Sequence, residues 1–334
     1  MPLPVGKLPS EMLDRLLRLC RPDPRVLVPP RVGHDAAALA FGDQVVVAKT
    51  DPITFATDRI GWYAVNVNAN DVACLGAVPR FFLATLLLPE GAATEAMAEG
   101  IFADLAASCE ALDVTLCGGH TEVTYGLDRP IVVGQMLGEV DRERLVCNER
   151  SQAGDDVLLT KGIAIEGTSL VAREKGDELA GAIDAAVLER ARGLLDDPGI
   201  SVVRDAAALC AACHPHALHD PTEGGLATGL HELADAAGLG VAVDAEAIAV
   251  LPTTQALCGH YGLEPLGLIA SGTLLAVTAP GDTAAALDAL ASAGVAARRI
   301  GRMTEQADGV TIRRGARQEP LPRYDSDEIA RLFS

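Results

Sequence analysis

Apolar residues in this chain recur in two alternating rhythms, and that alternation limits the fold more than any single motif does. Short runs rich in Val, Leu and Ile read as strands, and longer stretches with apolar positions every three or four residues read as helices. Strands are expected at residues 44–50, 80–88, 114–117, 131–140, 156–160, 239–243 and 273–278, with two more closing the chain. The 80–88 strand reads as buried on both faces. Helices are expected at residues 58–75, 94–112, 167–175, 183–194, 201–213, 224–237 and 283–293, after a first amphipathic helix that Ser10 opens and Pro22 stops. Hairpin-like and crossover connections are mixed, which points to two α+β domains; a doubly wound sheet fits less well. A length of 334 residues, at about 150 per domain, suggests the same count. The polar stretch 141–155 is the expected boundary, giving domains at residues 1–150 and 151–334.

Composition removes several function classes. With 27 basic against 46 acidic residues the net charge is −19, the wrong sign for gathering phosphates of a duplex. Aromatics are 3% of the chain, too few for base-stacking platforms, so no nucleic-acid partner is expected. The longest apolar run, at 81–88, has about eight residues where a membrane helix needs about 20. No secretory signal is visible at the start, so the expected location is cytoplasmic, with no membrane partner. Eight Cys in that compartment read as reduced thiols. Cys74, Cys109, Cys117 and Cys210 sit among apolar neighbours and read as inert core, leaving Cys147 as the exposed candidate.

Four segments place acids at strand ends or turns, where function collects. They are Gly33-His34-Asp35, Lys49-Thr50-Asp51, Asn68-Ala69-Asn70-Asp71, and His219-Asp220-Pro221-Thr222-Glu223-Gly224-Gly225. Asp71 stands out, because its neighbours Val67, Val72, Cys74 and Leu75 argue for a packed helix and a buried carboxylate is costly unless paired or metal-bound. One reading is a carboxylate satisfied by backbone groups or an Arg; the other is a shared Mg²⁺ site. Two carboxylates about 4 Å apart repel by roughly 4 kcal/mol at an effective dielectric near 20, so converging acids need a cation between them. Gly224 and Gly225, beside a helix start, let backbone N–H groups approach an anion. Gly118-Gly119-His120-Thr121-Glu122 offers the same kind of small-residue turn. No Walker P-loop and no G-x-G-x-x-G fingerprint occurs. Cys210-Ala211-Ala212-Cys213-His214 matches a haem-attachment string, but that chemistry needs export. His214, His216 and His219 invite zinc, but alternate strand residues share a face, so His219 points away from the other two.

Taken together, these segments resemble the superfamily of aminoimidazole ribonucleotide (AIR) synthetase (PurM), selenophosphate synthetase, thiamine-monophosphate kinase and the hydrogenase maturation protein HypE. The segment from His219 to Glu232 looks like the Asp-Pro-Thr-Arg-Gly-Gly-Leu segment of the HypE branch, and Asn70-Asp71-Val72-Ala73 with Gly76-Ala77-Val78-Pro79 looks like its Asn-Asp-Leu-Ala…Gly-Ala-x-Pro. The resemblance implies an α+β, two-domain PurM-like fold whose N-terminal domains share a β-barrel in a homodimer. It implies ATP and Mg²⁺ as cofactors, held by segments of the N-terminal domain in a cleft that the C-terminal domain completes. Carried over by position, Asp35, Asp51, Asp71 and Asp220 hold magnesium. Asp71, Asp220 and Lys49 carry the chemistry, and Gly118, Gly119, His120, Thr121, Glu122, Lys161, Gly224 and Gly225 line the nucleotide. The implied reaction is attack of a small or carrier-bound substrate's oxygen on ATP, by a synthetase or phosphotransferase of the HypE-like group. The alternatives are a small-metabolite kinase and a non-catalytic nucleotide-binding maturation or assembly protein. This chain departs from the family at His34 and His120, where the family has carboxylates. No cysteine lies beyond Cys258, so the C-terminal thiol on which HypE works is not expected here.

Overall fold

The structure is a computed structural model and describes residues 8, 10–31, 34, 36–54, 58–324 and 326–332. After helix α1 (Ser10–Leu17), a first sheet is built from β1 (Val26–Val28), β2 (Ala37–Phe41), β3 (Gln44–Ile53), β4 (Val78–Pro89), β5 (Thr115–Thr124) and β6 (Ile131–Asp141). Its order is β1-β2-β3-β6-β4-β5, antiparallel except for the parallel β4–β5 pair. Side chains alternate across it with period two. Val45 and Val47 of β3, Phe82, Leu86 and Leu88 of β4, and Val132 and Met136 of β6 all face one side and are buried. Two helices cover that side, α2 (Ile60–Cys74) and α3 (Glu95–Ala111). Helix α3 is capped by Thr94, whose hydroxyl accepts from the Met97 amide at 3.1 Å. The two helices approach so closely that a Cβ on Gly61 would lie 2.8 Å from the Ile101 carbonyl oxygen.

The opposite side of this sheet is open. Val78 and Phe81 of β4 are 47% and 43% exposed, so the 80–88 strand is covered on one face only, which corrects the expectation of two. A second correction concerns residues 118–122, which form no turn. They continue β5, at the sheet's edge, in parallel register with Leu83–Leu87. Gly119 is required by close approach, because a Cβ there would meet the Ala84 carbonyl oxygen at 1.9 Å and its φ is +147°.

The second unit alternates β7 (Asp156–Thr160), α4 (Ile165–Glu174), α5 (Gly176–Leu179), α6 (Ala185–Gly193), α7 (Val203–Ala212), β8 (Ala217–His219), α8 (Gly225–Ala237), β9 (Gly240–Asp244), α9 (Pro252–Tyr261), β10 (Leu275–Thr278), α10 (Thr283–Ser292) and β11 (Ala297–Thr304). The hairpin of β12 (Val310–Arg314) and β13 (Arg317–Pro320) follows, so three strands close the chain where the sequence suggested two, and β8 was not expected either. The sheet order is β13-β12-β9-β11-β7-β10-β8. Every residue of β7 and β10 is buried, because both faces are covered. Val157, Leu159, Leu275 and Val277 pack with α8, and Leu158 and Ala276 pack with α7 and α10.

Helix α2 also joins the two units. The Asn70 side-chain amide donates to the Ile200 carbonyl at 2.8 Å, and its oxygen accepts from the Val202 amide at 2.8 Å. Ala73 and Cys74 pack with Leu158 and Leu218 of the second sheet. The intervening polar stretch is short 3₁₀ turns at Arg142–Arg144 and Asn148–Arg150 around buried Leu145 and Val146. No helix among the described residues is long and apolar enough to cross a membrane.

Candidate functional site

Strand β3 and helix α2 build the polar centre of the molecule. Residues 49 and 51 share one face of β3, and both reach toward the helix. The Lys49 ammonium lies 2.9 Å from Asp71 Oδ2 and 3.3 Å from Asp51 Oδ2. Lys49 and Asp71 are nearly dry, with side chains 13% and 8% exposed, and the Asp51 side chain is 40% exposed. Asn68 holds the strand end in place: its Oδ1 accepts from the Asp51 amide at 2.8 Å and its Nδ2 donates to the Asp51 carbonyl at 3.3 Å. Gly134 of β6 makes room for it, since a Cβ there would lie 2.4 Å from Asn68 Nδ2. One turn beyond Asp71, the Cys74 thiol donates to Asp220 Oδ1 at 3.4 Å. A single helix therefore directs Asn68 and Asp71 at β3, and Asn70 and Cys74 at the second unit. The cost of burying these groups is offset group by group through hydrogen bonds and one shared ammonium.

The candidate residues divide accordingly. Asp51 and Asp71 meet on Lys49, and Asp220, 4% exposed, reaches α2 through Cys74. Asp35 lies outside the described residues. Among the described residues, which leave out Asp35, no three His, Cys, Asp or Glu side chains are gathered as a ready metal site. A lysine ammonium already sits between two of the acids and removes their repulsion. His34 lines a narrow cleft together with Cys74, its Nε2 3.2 Å from Glu149 Oε1 and its Nδ1 donating to the Pro29 carbonyl at 3.0 Å. His120 and Glu122 lie 3.1 Å apart on the exposed edge of β5, with Gly118, Gly119 and Thr121 beside them.

Two further assignments meet competition. The Lys161 ammonium is 6% exposed, donates to the Ser201 carbonyl at 2.6 Å and lies 3.3 Å from Asp205. Burial pulls its pKa down and Asp205 opposes that; in this structure the ammonium ties strand β7's end to the segment before α7. The Gly224 amide donates to Asp327 Oδ2 at 2.7 Å and the Gly225 amide to the Thr222 carbonyl at 3.1 Å, so both glycine N–H groups are engaged at the start of α8. The histidines do not converge on a metal: His214 contacts Arg150, His216 contacts Asp155 and His219 contacts Glu232. All eight cysteines are free thiols; Cys117 is exposed at the sheet edge, against its expected burial. Burial pushes the thiols of Cys109 and Cys210 up to about 11.

Sequence reasoning passed over Glu166. It lies in the first turn of α4, 8% exposed, and burial raises its pKa to about 7; Ser271 lowers it, and Glu223 and Asp327 raise it further. The available signal was a lone acid in the apolar stretch Ile163-Ala164-Ile165-Glu166-Gly167. A raised carboxyl pKa means that the folded chain binds the extra proton between the ordinary 4.5 and about 7. Stability is therefore lost as pH rises through that window, by about 3 kcal/mol at its end. In Glu166→Gln that loss is expected to vanish, leaving the variant the more stable protein at pH 8 and equal to the parent near pH 4. Denaturant midpoints at the two pH values test this, and a parallel pH dependence in both proteins would refute it.

Comparison with known proteins gives the following likenesses. The family described as AIR synthase related protein matches with its N-terminal domain over residues 33–140 and with its C-terminal domain over residues 152–313. A carbamoyl dehydratase HypE from Cupriavidus necator is 32% identical over 289 residues, which is 82% of this chain and 78% of that protein. The crystal structure of a hydrogenase maturation protein HypE in complex with ATP has a TM-score of 0.72 at 25% identity, over 97% of this chain and 98% of that one. A HypE–HypF complex has a TM-score of 0.74 at 24% identity, over 88% of this chain and 94% of that one.

Proposed function

This chain belongs to the AIR synthase related protein family, and from that premise we propose that it is an ATP- and Mg²⁺-dependent enzyme of the HypE-like branch. Its acceptor is the oxygen of a small or carrier-bound amide or carboxamide, which ATP phosphorylates or activates for loss. Support comes from the carbamoyl dehydratase relative and from the ATP complex of a protein that spans nearly the whole chain. The observation that carries the reading is the convergence of Asp51 and Asp71 on Lys49, with Asp220 of the second unit joined through Cys74.

Phosphoryl transfer asks a protein mainly for positioning and charge neutralisation. Mg²⁺ takes one or two carboxylates with phosphate oxygens and water, and Asp51 and Asp71, already drawn around one cation, fit that demand, with Asp220 as a further ligand. When bound, the metal offsets charge on the phosphates. Lys49 brings a positive charge to the same point, held in place by two carboxylates. Asn68 fixes the direction of Asp51, and the Cys74 thiol fixes one oxygen of Asp220. The exposed edge at Gly118, Gly119, His120, Thr121 and Glu122 would run beside the nucleotide, and the amides of Gly224 and Gly225 would be exchanged from their present partners. Residues 1–150 would then be the nucleotide domain and residues 151–334 the domain that completes the cleft, in a cytoplasmic protein.

Calorimetry of ATP with Mg²⁺ tests the reading: saturable binding is expected, and none at millimolar nucleotide would reject it. Phosphorus NMR then separates a kinase, which leaves a phosphorylated product, from a dehydrating synthetase, which leaves free phosphate.

The open face of the first sheet suits the shared barrel of a homodimer. Val78 and Phe81 are exposed there, and such an apolar patch marks an association surface. Phe81→Asp is expected to convert a dimer to monomers in light scattering without loss of helical signal. An unchanged mass would remove this face from the interface.

A further inference from the structure

A cavity of about 410 Å³ opens where the chain passes from the first unit to the second, between residues 149–152 and the segment 214–216. None of its lining residues belongs to the Lys49 cluster. Arg150 lines it, and its Nη1 donates to His214 Nε2 at 2.6 Å. The guanidinium therefore rests on an imidazole; among the described residues it has no carboxylate partner within ion-pair distance, although acids outnumber bases by 19. His216 stands on the same wall, its ring fixed by Asp155 at 2.7 Å. Ser151 lines the cavity as well, is 8% exposed, and has a hydroxyl oxygen with no hydrogen-bond partner. A buried hydroxyl without a partner is a cost that a ligand oxygen would remove. Glu149 and Asp282 complete the opposite charge.

We propose that this cavity is a second ligand site, which takes a small metabolite by its phosphate or carboxylate group on Arg150, His214 and His216. Glu149 and Asp282 then receive hydroxyl or ammonium donors of the same molecule. The volume suits a compact metabolite and is too small for a macromolecular partner. A narrow neighbouring cleft shares Glu149 and reaches Cys74, which bonds Asp220. The site therefore lies beside the proposed catalytic centre without sharing residues with it. Its existence does not depend on the nucleotide reading.

The full chain is titrated in a calorimeter with inorganic phosphate, with malonate and with phosphoethanolamine, and ATP binding is measured on the same preparations. Saturable binding of phosphate and phosphoethanolamine identifies a phosphate end, and binding of malonate alone identifies a carboxylate end. Arg150→Ala is expected to weaken the bound probe at least about 10-fold, and His214→Ala about 3-fold or more, as the loss of a charge-assisted bond requires. Both leave ATP affinity unchanged. Arg150 is exposed, so its truncation spares the core, and the imidazole proton resonances of His214 and His216 should move with probe in the parent. No saturable binding of any probe at roughly 10 mM, or equal binding in both variants, would overturn the proposal even if ATP binds normally.

Discussion

Asp71→Asn is expected to lower ATP-dependent turnover about 100- to 1,000-fold, the usual cost of removing one preorganised charged group from the reacting centre. Asp71 faces Lys49 at 2.9 Å with a side chain 8% exposed, so its charge acts where water screens little. The amide keeps the shape and loses the charge. Lys49 keeps Asp51 at 3.3 Å, so its ammonium is not stranded and the fold survives. If Asp71 holds Mg²⁺ with the phosphates, the loss falls on turnover and on the metal requirement together, and nucleotide affinity falls only where metal is present. Asp220→Asn is expected to act in the same direction, with the Cys74 hydrogen bond retained as its internal control. Phosphate release under saturating ATP and Mg²⁺ is the measurement. Turnover within about threefold of the parent in both variants would remove the catalytic assignment; a threefold change is under 1 kcal/mol, too little for a reacting-centre charge.

The periodic parts of this chain were readable because burial is two-sided in the second unit and one-sided in the first. Residues 156–160 form a strand of that same extent, since five consecutive buried residues leave no other reading. Helix α2 was legible as a helix, and Asp71 as its odd member, from apolar neighbours alone. What failed, failed for tertiary reasons. Gly118 and Gly119 look like a turn in isolation, yet Gly119 is a glycine because strand β4 runs against it, and no local pattern encodes a neighbour 35 residues earlier in the chain. The partners of Lys161 were equally hidden, since Asp205 and two carbonyls that surround it come from distant segments. Glu166 was passed over because its meaning lies in the burial around it. The electrostatic demand was legible: aspartates that converge need positive charge among them, and a lysine stands between Asp51 and Asp71.

That lysine gives the sharper test of the electrostatic logic, because removing it differs from removing an acid. Lys49→Met deletes the ammonium, leaves Asp71 buried, and frees the more exposed Asp51 to face water. Breaking a buried pair from one side costs about 3–5 kcal/mol, since the surviving charge keeps its desolvation penalty without compensation. Asp71→Asn does not have this consequence, because Lys49 retains a second carboxylate. The two single variants should therefore differ in cost, Lys49→Met being the more destabilising. Adding Asp71→Asn to Lys49→Met is expected to return most of the lost stability, giving a coupling of roughly 2 kcal/mol or more, as contacting charged residues show in such cycles. Denaturant midpoints of the four proteins, without metal or nucleotide, supply the cycle. Mg²⁺ adds a second reading: in Lys49→Met the site keeps both carboxylates and lacks its competing cation, so added Mg²⁺ should raise the midpoint of this variant more than that of the parent. Additive losses would mean that Lys49 does not compensate Asp71, and no response to Mg²⁺ in either protein would remove the metal role from this pair.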